Sequence, residues 1–313
     1  MQRVLITGSS GLLGAHLMTA LSERYAVLGL DRHPWWGDRP MRTRVGDLRD
    51  LRFLEDAVSS TKPDILIHCA ALVDVEGCEQ NPQEAYACHE KLTRELASRV
   101  HRRCLLVYTS TDSVFKGDKP FAVEEDRPAP RTVYARSKLH GEWEIELASE
   151  NHLIVRTNFY GWGSGRKLTA GEWLYQALEM SREITLFNDF YFTPIYVVDF
   201  VQRLIRLIEG GDRGLFHLAG KERVSKFQFG ALMADVGGLP FSHVRKGSID
   251  ESPLKAQRPK EMSLQCDRFR QVTGMDLPGC RSGLIRFMSD RRRPLSQRFL
   301  SEGVPIEAEA KAR

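Results

Sequence analysis

Short apolar runs recur through the first half of the chain, at 4–6, 26–30, 65–69, 104–108 and 153–155. Amphipathic stretches with helical spacing separate them, at 12–24, 51–60, 82–102 and 132–149. A strand that is apolar on both faces has to be covered on both sides. Its strict alternation with helices is the pattern of a parallel sheet layered between them. The chain is therefore predicted to be α/β, with a doubly wound parallel sheet. After about residue 157 the alternation loosens into a glycine-rich loop at 160–165, a helix over 172–181 and a strand-to-helix passage at 192–199. Shorter elements follow over 220–288, punctuated by Pro240, Pro253, Pro259 and Pro278. Three regions are expected: a sheet domain over 1–157, a smaller C-terminal lid over 158–290 joined to it by crossovers, and a polar tail over 291–313.

Composition narrows the class. A chain of 313 residues can bury a substantial core without staples. Its six cysteines include no Cys-x-x-Cys pair, and Cys69 and Cys104 fall inside apolar runs, so reduced thiols in a cytoplasmic protein are expected. No metal site is expected. The opening residues are too briefly apolar for a secretion signal, and no apolar run approaches the roughly 18 residues of a membrane span, so no membrane role is expected. The net charge of +4 is small, and the run Arg291-Arg292-Arg293 reads as a solvated surface. No nucleic-acid partner is expected, since that would call for a wide basic face with a reading motif.

The chemistry begins in the first turn. Gly8, Gly11 and Gly14 follow a strand and open a helix, the arrangement that lets backbone amides reach a pyrophosphate at a helix N-terminus, with Ser10, Leu12 and Leu13 in the same turn. Asp31 ends the next strand, at the distance where a carboxylate holds a ribose diol, which makes the sheet domain an NAD(P)-binding, Rossmann-type domain. The carboxylate favours NAD(H), while Arg32 beside it is able to clasp the extra phosphate of NADP(H). Asp47 and Leu48 are candidates for the adenine side, and Cys69, Ala70 and Ala71 for the nicotinamide ribose. Further along, Tyr134 and Lys138 stand four residues apart and share a helix face, so the ammonium is expected to lower the phenol pKa from its ordinary value of about 10.

Taken together, Thr7-Gly8-x-x-Gly11-x-x-Gly14, Ser110-Thr111-Asp112-x-Val114-Phe115, Tyr134-x-x-x-Lys138, Gly141-Glu142, the Leu153 to Thr157 strand and Arg258-Pro259-x-x-x-Ser263-Leu264 resemble the extended short-chain dehydrogenase/reductase family. The likeness is greatest to its dTDP-4-dehydrorhamnose reductase branch. The resemblance implies a substrate carbonyl bound by Thr111, a proton from Tyr134, and Lys138 on the nicotinamide ribose. Ser110 replaces Thr111 if the strand register differs. The implied substrate is a nucleotide-diphosphate keto-sugar, with Asp112, Asn158 and Arg258 as substrate-binding candidates, and a homodimer is the implied assembly. Several positions depart from the branch: Ser113 stands where a tyrosine is usual, Phe159 where a tryptophan is, and His89 where an asparagine is. His89 reads as a satisfied helix histidine or as a member of a proton relay, and Asp199 as the cap of the helix that follows it. Two alternatives stay open, a nucleotide-sugar epimerase with tightly bound NAD and a noncatalytic NAD(P)-binding regulatory subunit.

Overall fold

The computed structural model describes residues 1–299. Six strands of the first half, β1 (Arg3–Thr7), β2 (Ala26–Asp31), β3 (Thr43–Val45), β4 (Ile65–His68), β5 (Leu105–Thr109) and β6 (His152–Arg156), lie parallel in one sheet. A seventh strand, Gly214–His217, arrives from the second half and pairs in parallel with β6. The spatial order is β3, β2, β1, β4, β5, β6, Gly214–His217. The order reverses between β1 and β4, and in such a sheet ligands bind outside the carboxyl ends of the strands at that reversal.

The helices are α1 (Leu12–Leu21), α2 (Leu51–Thr61), α3 (Val75–Gln80), α4 (Pro82–Tyr86), α5 (Leu92–Arg99), α6 (Val133–Ala148), α7 (Ala170–Glu179), α8 (Val197–Gly210) and α9 (Lys226–Gly237); α1, α2, α5, α6 and α8 cover the two faces of the sheet, while α3 and α4 pack on α6, and α7 and α9 pack together in the second half. Alternation along each strand divides the core in two. Val4, Ile6, Ile65, Ile67 and Val107 pack with Leu17 and Met18 of α1 and Val201 and Leu204 of α8. Leu5, Leu66 and Leu106 face the other way, onto Leu54 and Val58 of α2, Leu96 of α5 and Ile145 of α6. Successive strand residues point to opposite sides, so continuous apolar runs of this kind require two helical layers.

Two local features position the site. The Thr132 side chain accepts a hydrogen bond from the backbone N–H of Ala135 at 3.1 Å, which starts α6 just ahead of Tyr134. The helix expected over 82–102 is instead interrupted: after α4 the residues Ala87–Lys91 form a π-helical turn before α5 resumes. Such a turn inserts one residue into the helical ladder and re-aims its side chains, and here it directs His89 inward.

The second half is interleaved with the first. Phe159–Tyr160 pairs with Ile195–Tyr196, Tyr191–Phe192 lies between Val224–Ser225 and Glu261–Met262, and Ile184–Phe187 pairs with Val244–Gly247. Helix α8 then runs back along α1 and delivers the edge strand. Residues 290–298, at the start of the segment read as a tail, fold into two short 3-10 turns in which Leu295, Ser296 and Arg298 are buried. Asp38 accepts a hydrogen bond from the Ser296 N–H at 2.9 Å. Among the described residues all six cysteines are free, and no helix is long and apolar enough to cross a membrane.

Candidate active site

The glycine turn lies at the reversal point. Gly8 has φ +68°, a left-handed conformation that favours glycine, and a Cβ there would sit 2.7 Å from the Ala70 nitrogen. A Cβ at Gly14 would lie 2.1 Å from the Gly8 carbonyl oxygen, so the helix is pressed onto the loop and both are pressed onto the segment after β4. The α1 N-cap, Gly11, carries no side chain to satisfy the first amides. They are left to meet an anion. Asp31 braces this turn from β2, accepting from the Ser10 N–H and the His33 N–H, each at 2.9 Å. Leu13 and Leu48 turn their side chains into the core, so only their backbones face the turn region. Leu12 is partly buried beside Gly161.

Around the adenine side the structure adds residues that sequence reasoning missed. Arg49 binds Asp47 with its Nη2 at 2.7 Å from the carboxylate. That contact and the exposed Arg32 hold the Asp47 carboxyl below its usual range, at about 2. Trp36 Nε1 and Arg166 Nη2 donate to the Ser10 carbonyl at 3.0 and 3.2 Å, folding the 33–36 segment and the 166 loop over the glycine turn. No sequence motif marks those two side chains.

The reacting groups gather at the end of β5. Thr111 and Asp112 are buried, and the Thr111 hydroxyl faces the Tyr134 phenol. Burial pushes that phenol above its ordinary pKa, with Thr111 acting the other way and the charges of Asp112 and Cys78 adding to the rise. The expected lowering of the phenol by Lys138 is not what the structure has. The Lys138 ammonium turns toward β5, donating to the Thr109 carbonyl at 2.7 Å and lying 4.0 Å from the Tyr108 ring centroid. Burial lowers its own pKa to about 8, opposed by the charges of Cys88, Glu142 and Cys69. Ser110 points elsewhere. Its hydroxyl donates to Glu142, whose carboxylate also accepts from Arg156 at 3.0 and 2.6 Å in a buried pair. The hydroxyl beside the phenol is therefore that of Thr111.

Next to these lies a polar group from the second half. Asp112 accepts from Thr111 at 3.1 Å, from Ser113 at 3.2 Å and from the Asn158 amide at 2.7 Å. Burial raises its carboxyl to about 6. Arg258 reaches Glu76 at 3.5 Å, and its Nε is buried without a hydrogen-bond partner. The Glu76 carboxylate also accepts from the Lys255 N–H at 3.0 Å, tying the 255–258 segment to α3.

His89 has both ring nitrogens engaged. Nε2 accepts from the Leu72 N–H at 2.9 Å, so Nδ1 carries the proton and donates to Ser137 Oγ at 2.7 Å. Ser137 donates in turn to the Tyr134 carbonyl at 3.0 Å, and the imidazole edge meets the Tyr134 ring with centroids 5.7 Å apart. Burial, with Lys138 nearby, drops the His89 pKa to about 2. A neutral histidine with both nitrogens occupied holds Tyr134 in place and carries no proton relay at neutral pH. A second buried chain reaches the same turn: Thr7 Oγ1 donates to His68 Nδ1 at 2.6 Å, His68 Nε2 to Thr93 at 3.1 Å, and Thr93 to the His89 carbonyl at 2.6 Å. Asp199 caps nothing. It lies in the first turn of α8 and pairs with Arg286 and Arg203.

Known proteins are similar to this chain over nearly its whole length. The dTDP-4-dehydrorhamnose reductase of Mycobacterium tuberculosis is 34% identical over 94% of this chain and 97% of its own length. The methionine adenosyltransferase 2 subunit beta of Xenopus tropicalis is 29% identical over 93% of this chain and 90% of its own. Among solved structures, the dTDP-4-dehydrorhamnose reductase of Bacillus anthracis in complex with NADP superposes with a TM-score of 0.84 at 28% identity, over 92% of this chain and 99% of that one. The profile of one family, the RmlD substrate binding domain, matches residues 1–293, and the chain belongs to that family.

Proposed function

We propose that the protein is an NAD(P)H-dependent reductase of a nucleotide-diphosphate keto-sugar, acting as the dTDP-4-dehydrorhamnose reductases among its relatives do. One observation carries this reading: a phenol kept protonated by burial, Tyr134, faces the Thr111 hydroxyl just past the end of β5, with only β4 between that strand and the one that leads into the glycine turn. The residues present fit a dinucleotide. The close Gly8–Gly14 turn, the uncapped amides of α1 and the Asp31 carboxylate offer a pyrophosphate cradle and a ribose acceptor. When bound, the reduced nicotinamide supplies the hydride.

The chain's own groups do the rest. With substrate bound, Thr111 turns its one hydroxyl proton from Asp112 to the carbonyl oxygen, and Tyr134 hands a proton to that oxygen as it gains charge. A high phenol pKa suits this direction, because the group must hold its proton until the oxygen becomes the stronger base. Lys138 stays charged below about pH 8, and from its place on the Thr109 carbonyl we assign it to the nicotinamide ribose. Asp112, Asn158 and Arg258 bind the sugar nucleotide. We assign the cofactor contacts to Gly8, Ser10, Gly11, Leu12, Leu13, Gly14, Asp31, Arg32, Asp47, Leu48, Cys69, Ala70, Ala71, Tyr134 and Lys138, with NAD(H) favoured by Asp31. The six free thiols suit the reducing cytoplasm in which we place the protein. A homodimer along α6, where Trp143 and Leu147 are exposed, would be seen by light scattering.

The test is oxidation of NADH and of NADPH followed at 340 nm with a panel of nucleotide 4-keto-6-deoxysugars. Stoichiometric oxidation is expected with at least one sugar, and Tyr134→Phe should cut turnover by about 10²- to 10⁴-fold while cofactor affinity stays nearly unchanged. Isomerisation without net oxidation would favour the epimerase reading. Cofactor binding with no turnover across the panel would favour the regulatory one.

A further inference from the structure

Lys226 opens α9 on the lid side of the cleft, and its ammonium lies 3.3 Å from the Phe192 ring centroid and 5.1 Å from that of Phe190. Among the described residues the ammonium has no hydrogen-bond acceptor. Asp112 stands across from it, since its neighbour Ser113 donates to Met262 Sδ at 3.3 Å and Met262 pairs with Phe192, yet ammonium and carboxylate are farther apart than the 4.0 Å of a direct ion pair. Arg258, whose Nε also lacks an acceptor, pushes on Lys226 with like charge. A half-buried ammonium over aromatic faces, without an acceptor among the described residues and short of its counter-ion, keeps its donors for a ligand in the gap. On the opposite side, Asp112 is fixed by Thr111, Ser113 and Asn158, so it cannot swing over to close the distance. Thr111 ties the acid directly to the carbonyl-binding position.

We propose that Lys226 is a specificity-determining residue that, with Asp112, brackets a sugar hydroxyl on the carbon next to the reacting carbonyl. The ammonium donates to the hydroxyl oxygen, and the hydroxyl donates to the Asp112 carboxylate. Only a group that accepts and donates at once completes both partners, so the site selects a ring hydroxyl over hydrogen or a methyl group at that carbon. This assignment rests on the sugar-nucleotide reading of the cleft. Lys226 comes from the second half of the chain and Asp112 from the first, so the hydroxyl would also link the lid to the sheet domain.

The experiment is calorimetric titration of the full chain, saturated with NADP⁺, with dTDP-glucose and UDP-glucose, and then with the 3-deoxy analogue of whichever binds. Binding rather than turnover is read, so a chain that reduces no keto-sugar would sink the reductase assignment without touching this one. Lys226→Met and Lys226→Gln are each expected to weaken the hydroxylated ligand by about 10- to 100-fold, the range for losing one charged hydrogen bond. NADP⁺ affinity should hold, the thermal midpoint should not fall, and neither variant should alter affinity for the 3-deoxy ligand. Asp112→Asn should show the same selectivity, and combining it with Lys226→Met should add little further loss. Equal weakening of both ligands, unchanged binding in both Lys226 variants, or no binding of either nucleotide sugar would overturn the proposal.

Discussion

Four histidines, His16, His68, His89 and His217, are buried, each no more than 2% exposed, and their surroundings set a steep acid limit on stability. Burial drops their pKa values to about 3, 3, 2 and 3, helped by the charges of Arg298, Lys138, Lys138 and Arg156 respectively. In the unfolded chain each would titrate near 6.5. Below that pH the unfolded state binds protons that the folded state refuses, so stability is complete above about pH 7 and falls as the pH drops toward the folded values. At pH 5 each histidine costs about 2 kcal/mol relative to pH 8, about 8 kcal/mol for the set. Asp112, raised to about 6, titrates in the opposite sense and returns about 1 kcal/mol. A domain of ordinary stability has only about 5–15 kcal/mol to lose. Urea unfolding followed by circular dichroism at pH 8, 6.5 and 5 should therefore show the midpoint collapsing near pH 5. His217→Gln, remote from the glycine turn, should reduce the drop by about 2 kcal/mol whatever it costs at pH 8. A folding free energy that changes by less than about 2 kcal/mol between pH 8 and 5 would refute the assignment of these rings as buried and neutral.

Other perturbations follow from the geometry. Because burial lowers Lys138 to about 8, kcat/KM should fall with unit slope above that pH, and a Lys138→Met enzyme should be slow and lack this limb in a pH–rate profile. Gly14→Ala would place a methyl 2.1 Å from the Gly8 carbonyl oxygen, so cofactor affinity measured by NADH fluorescence should drop at least about 10-fold, in line with overpacking costs of about 1–3 kcal/mol. Arg156→Met strands the buried Glu142 carboxylate and should cost about 3–5 kcal/mol in chemical denaturation, much of it recovered in the Glu142→Leu/Arg156→Met double variant.

What the sequence made legible was local. The strand runs at 4–6, 65–69 and 153–155, the glycine turn and the Tyr134–Lys138 spacing each declare themselves within a few residues, and the structure has them near the expected positions. The edge strand Gly214–His217 was not legible because four residues after a helix give no alternation, and only pairing with β6 makes them a strand. The π-turn escaped for a similar reason. It aims His89 at the Leu72 N–H, seventeen residues away, a contact that helical periodicity does not reveal. The direction of Lys138 depended on the Thr109 carbonyl and the Tyr108 ring, neither of which periodicity on α6 reveals. Lys226 carried no motif at all, and its distinction is to have no acceptor among the described residues.

The edge strand Gly214–His217 also changes how the protein can be taken apart. A gene cut after residue 157 would strip β6 of its neighbour and α1 of the helix packed beside it, leaving an open, sticky border rather than a free-standing nucleotide module. Anyone wishing to transplant another relative's lid onto this base would have to splice twice, exchanging 158–196 and 218–290 while keeping 197–217 from the recipient.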